Sequence, residues 1–203
     1  MLTTALTQSR EWLDDGIDVP IAVNVSARNL HDPTLPALLR RLLDAHRIPA
    51  RLLTLEITEG AVMQNPDHAR RTLEQLRSWG IGLSLDDFGT GYSSMTYLKD
   101  LPVSEVKIDQ SFVMNMTAEP KHAMIVSSII DLAHNLGLTV TAEGIETPQT
   151  LHRLRELGCD TAQGYLIGKP SPAEATHAWL IARAHQAPAT APALIAPPAQ
   201  GGL

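Results

Sequence analysis

Short apolar runs and longer amphipathic stretches alternate along most of this chain. Each short run is rich in β-branched residues, as in Ile21–Ser26 (IAVNVS), and so predicts a strand. The stretches between the runs carry apolar residues at helical spacing, as in Leu35–His46. Hairpin turn signals do not separate the strands, so the repeating order of strand and helix predicts an α/β fold in which helices cover a parallel sheet.

The pattern defines thirteen elements. Strands are predicted at Ile21–Ser26, Leu52–Ile57, Ile81–Leu85, Glu105–Ile108, Leu138–Ala142 and Thr161–Gly164. Helices are predicted at Thr3–Asp14, Leu35–His46, Asp67–Trp79, Tyr92–Asp100, Lys121–Leu136, Pro148–Leu157 and Pro172–His185. Two of these helices have clear boundary signals, because Asn65 and Thr147 each precede a proline as a cap, and Gly80 and Gly158 follow the last turn.

The C-terminal segment differs from the rest in composition. Residues 187–203 (APATAPALIAPPAQGGL) include four prolines and show neither helical nor strand periodicity. We expect a disordered Ala/Pro-rich tail there and a single domain over residues 1–186.

Composition narrows the classes of function. The 203 residues include 22 acidic and 16 basic side chains, so the net charge of −6 argues against a polymeric nucleic-acid partner. A small phosphate-bearing ligand remains compatible if cations offset the local charge. Cys159 is the single cysteine, which excludes an intrachain disulfide and fits a cytoplasmic location. We find neither a membrane-spanning apolar segment nor a signal-peptide pattern, so we expect a soluble protein.

Polar residues recur at or near the carboxyl end of the predicted strands. They are Asn24, Glu56, Asp86, Asp87, Lys107, Asp109, Glu143 and Gln163. In a parallel α/β barrel the carboxyl ends of all strands converge on one mouth, where active sites lie. Clustered carboxylates repel one another unless protons or cations intervene, and oxygen ligands with an amide suit Mg²⁺ or Mn²⁺. The pattern therefore predicts a divalent-metal site at that mouth.

The adjacent pair Asp86 and Asp87 needs a turn. Neighbouring residues in an extended strand point to opposite sides, so both carboxylates face one cleft only if the strand ends there, and Gly89 and Gly91 supply the turn. Simpler interpretations stay open: a solvated turn for the two aspartates and a local backbone hydrogen bond for Asn24.

Five ordered motifs identify a family. The segments NVSARNL, LEITE, DDFGTGYSSMTYLKDLPVSEVKIDQSFV, TAEGIET and GCDTAQGYLIGKP resemble the EAL-domain family of cyclic di-GMP phosphodiesterases from about Leu2 to Ile181. The resemblance implies a TIM-like (β/α) barrel. It also implies hydrolysis of cyclic di-GMP to linear pGpG with Mg²⁺ or Mn²⁺ in bacterial signalling.

The resemblance also implies roles for individual residues. Asn24, Glu56 and Asp86 would hold one metal ion, and Asp86 and Asp87 would engage a second. Lys107 would contact the attacking water or the phosphate, and Glu143 would assist at the metal site or as a base.

Four further residues are predicted around this set. Gln163 and Asp109 are expected at the substrate, although Asp109 could instead form a structural ion pair with Lys107. Glu59 would brace the loop Phe88–Ser94, which in the family couples the site to dimerisation, and Glu146 would stabilise a loop or cap a helix.

One family feature is absent from the sequence. The Glu-Ala/Val-Leu strand, whose glutamate is a metal ligand in the family, does not occur, and about six strand–helix units stand where a closed barrel has eight. We therefore expect an incomplete barrel. A piece of a longer protein, a partner that supplies the strands, or a degenerate module would each explain this. The functions left open are a phosphodiesterase, a cyclic di-GMP receptor or interaction module, and an unrelated Mg²⁺ barrel enzyme.

The remaining candidate residues are given structural interpretations. The eight histidines share no metal-binding spacing and are interpreted as surface or packing residues. Met114, Met116 and Met124 are expected to fill the core.

Overall fold

Six parallel strands form one sheet in which each strand neighbours the next along the chain. The computed structural model describes residues 1–90 and 98–184. The strands are β1 (Ile21–Val25), β2 (Leu53–Thr58), β3 (Gly82–Phe88), β4 (Glu105–Ile108), β5 (Thr139–Ala142) and β6 (Thr161–Ala162). The predicted parallel sheet is confirmed. It is open, since within the described residues β1 pairs only with β2 and β6 only with β5.

Helices follow the strands and cover one face of the sheet. They are α1 (Leu2–Asp14), α2 (Ala27–Leu30), α3 (Leu35–His46), α4 (Glu59–Met63), α5 (Pro66–Ser78), α6 (Gln110–Val113), α7 (Pro120–Asn135), α8 (Pro148–Glu156) and α9 (Ala173–Ala184), with a 3₁₀ turn at Ala50–Leu52. In the described ranges, no helix is both long and apolar enough to cross a bilayer.

The two faces of the sheet differ in polarity. Val23, Leu55, Leu85, Val106 and Val140 are buried on the face that packs against the helices. Because side chains alternate along a strand, the residues between them point to the opposite face. These residues are largely polar and include Thr54, Glu56, Ser84, Lys107 and Thr141. The helix-covered face thus supplies the hydrophobic core, and the other face is left for polar chemistry.

Side-chain caps begin two of the longer helices, α5 and α8. Asn65 accepts a hydrogen bond from the His68 N–H (3.2 Å) at the start of α5, and Thr147 accepts one from Thr150 (3.1 Å) at the start of α8. Gly80 and Gly158, at φ +87° and +78°, end these helices in the left-handed conformation that glycine adopts without strain. These boundary predictions are confirmed.

Three short helices were missed. α2, α4 and α6 begin directly after β1, β2 and β4, and they are capped by Ser26, Thr58 and Asp109. The prediction that Ser26 ends β1 is wrong, because its hydroxyl accepts from the Asn29 N–H (3.3 Å) and so begins α2. Helices of four or five residues are too short to show a hydrophobic period.

Two methionine predictions are also wrong. Met116 is buried as expected, but Met114 and Met124 are 48% and 70% exposed. The helix predicted at Tyr92–Asp100 lies outside the described residues except for its last three positions, and the tail predicted at residues 187–203 lies outside them entirely.

Candidate active site

A buried lysine lies at the centre of the polar face. Lys107 on β4 has a side chain only 4% exposed, and its Nζ lies 2.6 Å from Glu56 Oε1 and 2.6 Å from Glu143 Oε1. Asp86 Oδ1 is 3.5 Å from the same Nζ. The structure thus brings four predicted site residues together: the ammonium group of Lys107 and three carboxyl groups from β2, β3 and the end of β5.

Strand register produces this convergence. In a parallel sheet the carboxyl ends lie at one edge, and side chains two residues apart share a face. Lys107 pairs with Thr141, so Glu143 stands two positions further on the same side. The Glu143 N–H donates to the Ile108 carbonyl (3.2 Å), which continues the pairing beyond β5.

Three carboxyl groups share the charge of one lysine. Burial raises the pKa of both Glu56 and Glu143 above the usual value, and the attraction of Lys107 offsets this only in part. Burial alone would lower the pKa of Lys107, but Glu56, Glu143 and Asp86 together raise it. Lys107 therefore stays charged, and the cluster has room for further positive charge.

The turn at the aspartate pair lies at Asp87 itself. β3 does not end at Leu85 as predicted but continues to Phe88, with a shift of register against β4 between Leu85 and Phe88. Asp87 takes φ +56° within this bulge, which an aspartate tolerates better than most side chains. Gly89 also has positive φ, as expected, whereas Gly91 lies outside the described residues.

Asp87 stays close enough to Asp86 for the charge of Asp86 to affect its pKa. Burial raises the pKa of Asp87, and the negative charges of Asp86 and Asp109 raise it further, while Lys107 acts in the opposite direction. A solvated turn does not describe this pair, because Asp86 is buried and lies inside a strand.

Two predicted residues lie at the edges of the sheet. Asn24 on β1 is in register with Glu56 but is exposed. Gln163 follows β6 and is partly buried. Its N–H donates to the Ala142 carbonyl (2.8 Å), and its carbonyl accepts from Ile145 (3.1 Å). These bonds place Gln163 beside the loop that follows Glu143.

Asp109 is a helix cap in this structure. Its carboxylate accepts hydrogen bonds from the Ser111 N–H (3.0 Å) and from the Ser111 hydroxyl. In the described part of the chain the ion pairs of Lys107 go to Glu56, Asp86 and Glu143, so the alternative of a Lys107–Asp109 ion pair is wrong.

Glu59 and Glu146 have contrasting surroundings. Glu59, the first residue of α4, is 6% exposed, and within the described residues its Oε2 has no hydrogen-bond partner. Glu146 is exposed in the loop before α8. Their loop-stabilising roles stay predictions, as does dimerisation through Phe88–Ser94, since residues 91–94 are not described.

With this geometry in place, comparison with known proteins assigns the family. A family model for the EAL domain matches residues 1–170. This chain belongs to the EAL domain family. The match thus runs from α1 to the loop after β6 and includes every predicted site residue.

Curated relatives of this EAL domain are signalling proteins. A bifunctional diguanylate cyclase/cyclic di-GMP phosphodiesterase, MucR of Pseudomonas aeruginosa, is 45% identical over 175 residues, which are 86% of this chain and 26% of the relative. The signalling protein YkoW of Bacillus subtilis is 39% identical over 186 residues, 92% of this chain and 23% of the relative. The EAL domain thus spans about a quarter of the length of these relatives.

Solved structures confirm the fold as a TIM-like barrel of the EAL type. A PaMucR phosphodiesterase in complex with cyclic di-GMP matches with a TM-score of 0.83 and 44% identity, covering 86% of this chain and 71% of that chain. The EAL domain of Mycobacterium smegmatis DcpA matches with a TM-score of 0.86 and 35% identity, covering 89% and 82%. The six-stranded open sheet is therefore an incomplete form of that barrel.

The chemistry of this EAL domain site suits a hard divalent cation. The available ligands are carboxylate and amide oxygens, and Asp86 Oδ1 is buried without a hydrogen-bond partner among the described residues. As they lie, no three acidic, histidine or cysteine side chains in the described ranges enclose an ion. The ammonium of Lys107, between Glu56 and Glu143, supplies the central positive charge instead.

Two site-lining residues were missed by the sequence reasoning. Glu105 lies two positions before Lys107 on the same face of β4, and its carboxylate accepts from the Thr141 hydroxyl. Burial raises the pKa of Glu56, and the charges of Asp86 and, to a smaller extent, Glu105 raise it further, while Lys107 lowers it. Ser84 is fully buried on this face. The spacing of two between Ser84 and Asp86, and between Glu105 and Lys107, is the signal that could have identified both.

Proposed function

We propose that this EAL domain hydrolyses cyclic di-GMP to linear pGpG in bacterial second-messenger signalling and requires Mg²⁺ or Mn²⁺. The buried cluster of Lys107 with Glu56, Asp86 and Glu143 carries the proposal, because it joins a fixed cation to several oxygen ligands at the mouth of the sheet. Relatives named as cyclic di-GMP phosphodiesterases, at 39–45% identity, support the substrate.

The side chains divide into two groups of metal ligands. Asn24, Glu56 and Asp86 would hold one divalent ion, and Asp86 with Asp87 would hold the second. Two bound ions would lower the pKa of a water molecule and neutralise charge on the phosphate. Asp86 Oδ1 has no hydrogen bond among the described residues and only a 3.5 Å contact with Lys107 Nζ, so it would be free to bind a metal ion.

The other residues act on the substrate and its protons. Lys107 is held at full charge by its carboxylates and would stabilise the negative charge that develops on the phosphate oxygens. Glu143 has a raised pKa, which brings it closer to the range in which a carboxyl group works as a general base. Gln163 and Asp109 would contact the substrate at the rim, and Glu59 would brace the loop after β3.

A receptor is the second candidate function. Asn24, a metal ligand in the proposal, is exposed on β1, and β1 has no second neighbour among the described strands. An incomplete ligand set at this edge would allow cyclic di-GMP to bind without turnover.

The test is a direct assay with matched variants. The polypeptide is incubated with cyclic di-GMP and Mn²⁺, and the products are separated by chromatography. We expect linear pGpG, its loss in excess EDTA, and a fall in rate of at least about 100-fold in Asp86→Asn, since loss of an outer-shell partner alone costs about 10–100-fold. The control is Glu174→Gln, which changes an exposed acid on α9 and should keep the rate.

Calorimetry with cyclic di-GMP separates the remaining outcomes. Binding without product would replace the phosphodiesterase proposal with the receptor. Neither binding nor product would reject both.

A further inference from the structure

Two histidine rings lie side by side at the same end of the sheet as the candidate active site. His31 ends α2, which follows β1, and His68 lies in the first turn of α5, after β2 and α4. Their ring centroids are 5.7 Å apart. The pair is distant in the sequence and was therefore not visible as a metal-binding spacing.

Hydrogen bonding fixes the tautomer of His31. Its Nε2 lies 3.0 Å from the carbonyl oxygen of Ala61 in α4. A carbonyl only accepts, so Nε2 carries the proton, and Nδ1 of the neutral ring carries a lone pair. Within the described residues, His31 Nδ1 is buried without a hydrogen-bond partner, and so is Nε2 of His68. Buried polar atoms are rarely left unpaired, so one on each of two neighbouring rings points to a missing partner.

The ring separation is close to that of two imidazoles on one metal ion. With a zinc–nitrogen bond of about 2.0–2.1 Å and about 1.1 Å from ring nitrogen to centroid, a tetrahedral ion holds the centroids of two ligating imidazoles about 5.2 Å apart. The observed 5.7 Å exceeds this by about 0.5 Å, so binding requires only a small rotation of the rings. A histidine that binds a metal commonly donates its other N–H to a backbone carbonyl, which His31 does at Ala61.

We propose that His31 and His68 form a binding site for a late first-row transition ion such as Zn²⁺. The ligating atoms are Nδ1 of His31 and Nε2 of His68, and water completes the coordination. Imidazole favours Zn²⁺, Cu²⁺ or Ni²⁺ over Mg²⁺ and Mn²⁺, so this site selects a different class of ion from the carboxylate cluster around Lys107. A bound ion would join α2 and α5 beside α4, whose first residue is Glu59.

Zinc titration followed by NMR tests the site independently of phosphodiesterase activity. The protein is labelled with ¹⁵N-histidine and titrated with Zn²⁺ in excess Mg²⁺, which occupies the oxygen ligands. We expect one equivalent of Zn²⁺ to shift the ¹⁵N resonances of His31 Nδ1 and His68 Nε2 together. A zinc indicator dye should show affinity lowered more than about tenfold in His31→Gln and in His68→Gln, since losing a ligand costs at least as much as losing its hydrogen-bond partner.

The control is His152→Gln on α8, whose side chain is 76% exposed, and this variant should keep the wild-type affinity. Zinc affinity unchanged in both site variants, or the absence of saturable binding to wild type, overturns the proposal. If either variant fails to fold, the wild-type spectra decide: Zn²⁺ shifts confined to other histidines reject the site.

Discussion

The centre and the edges of the sheet treat similar polar residues differently. Glu56, Asp86 and Lys107 lie on β2, β3 and β4, where each strand has a neighbour on both sides, and all three are buried. Asn24 lies on β1, paired on one side only, and is exposed although it is in register with Glu56. A site residue is buried here where its strand is paired on both sides. The charged cluster around Lys107 is therefore buried without barrel closure, whereas Asn24 at the edge stays exposed.

The largest expected effect is at the centre, in Lys107→Met. This change leaves Glu56, Glu143 and Asp86 near one another without a counter-charge, and removing one partner of a buried ion pair costs about 3–5 kcal/mol. The free energy of unfolding, measured by urea denaturation in EDTA, should fall by that amount. The control is Lys121→Met on the exposed side of α7, expected to change it by less than about 0.5 kcal/mol. If both variants lower the free energy of unfolding by the same small amount, the three carboxyl groups do not need the charge of Lys107 for stability.

The apolar face allows the same comparison without charge. Leu55 on β2 is fully buried, so Leu55→Ala should lower the free energy of unfolding by about 2–5 kcal/mol through lost burial and a cavity. Ile21 on β1 is only partly buried, so Ile21→Ala should cost less than about 2 kcal/mol. The measurement is again urea denaturation. A loss at Ile21 as large as that at Leu55 would mean that the edge is packed as tightly as the centre.

The carboxyl groups of the centre predict a pH dependence. Glu56 and Glu143 have raised pKa values in the folded state, so the folded protein binds their protons more tightly than the unfolded chain does. Their contribution to stability is present below the usual pKa of 4.5 and is lost as the pH rises through the higher folded value. Glu143→Gln should therefore show a shallower fall in unfolding free energy than wild type above pH 4.5, measured by denaturation in EDTA.

Wild type serves as the reference because other acids act in the opposite direction. Asp18 accepts a hydrogen bond from Arg51, which lowers its pKa, so its contribution to the free energy of unfolding rises with pH in both proteins. Identical slopes in the two proteins would contradict a raised pKa at Glu143.

The sequence predicted the central elements better than the details that depend on tertiary contacts. The bounds of β4 were predicted correctly, because Glu105–Ile108 shows a clean alternation between two faces. The convergence of Glu56, Asp86, Lys107 and Glu143 followed from the shared carboxyl edge of parallel strands.

Other features needed the fold itself. The bulge at Asp87 is set by pairing with β4, and the sequence predicted only the turn at Gly89 that follows it. Likewise, the distances from Lys107 to three carboxylates depend on how the strands lie beside one another in the folded sheet, which cannot be read from residue spacing.

The smallest expected effect on stability is at the edge, in Asn24→Ala. The side chain is exposed, so the free energy of unfolding should change by less than about 0.5 kcal/mol. If Asn24 is a metal ligand as proposed, the Mn²⁺ concentration for half-maximal activity should nevertheless rise by about tenfold or more. Loss of a residue that only hydrogen-bonds a metal ligand already lowers metal affinity by about that factor. Manganese titrations of activity and urea denaturation on the same variant separate the two roles. An exposed side chain that binds only a metal ion contributes little to the free energy of unfolding measured without metal. A loss of stability with unchanged Mn²⁺ dependence would therefore make Asn24 a structural residue of β1 and not a ligand.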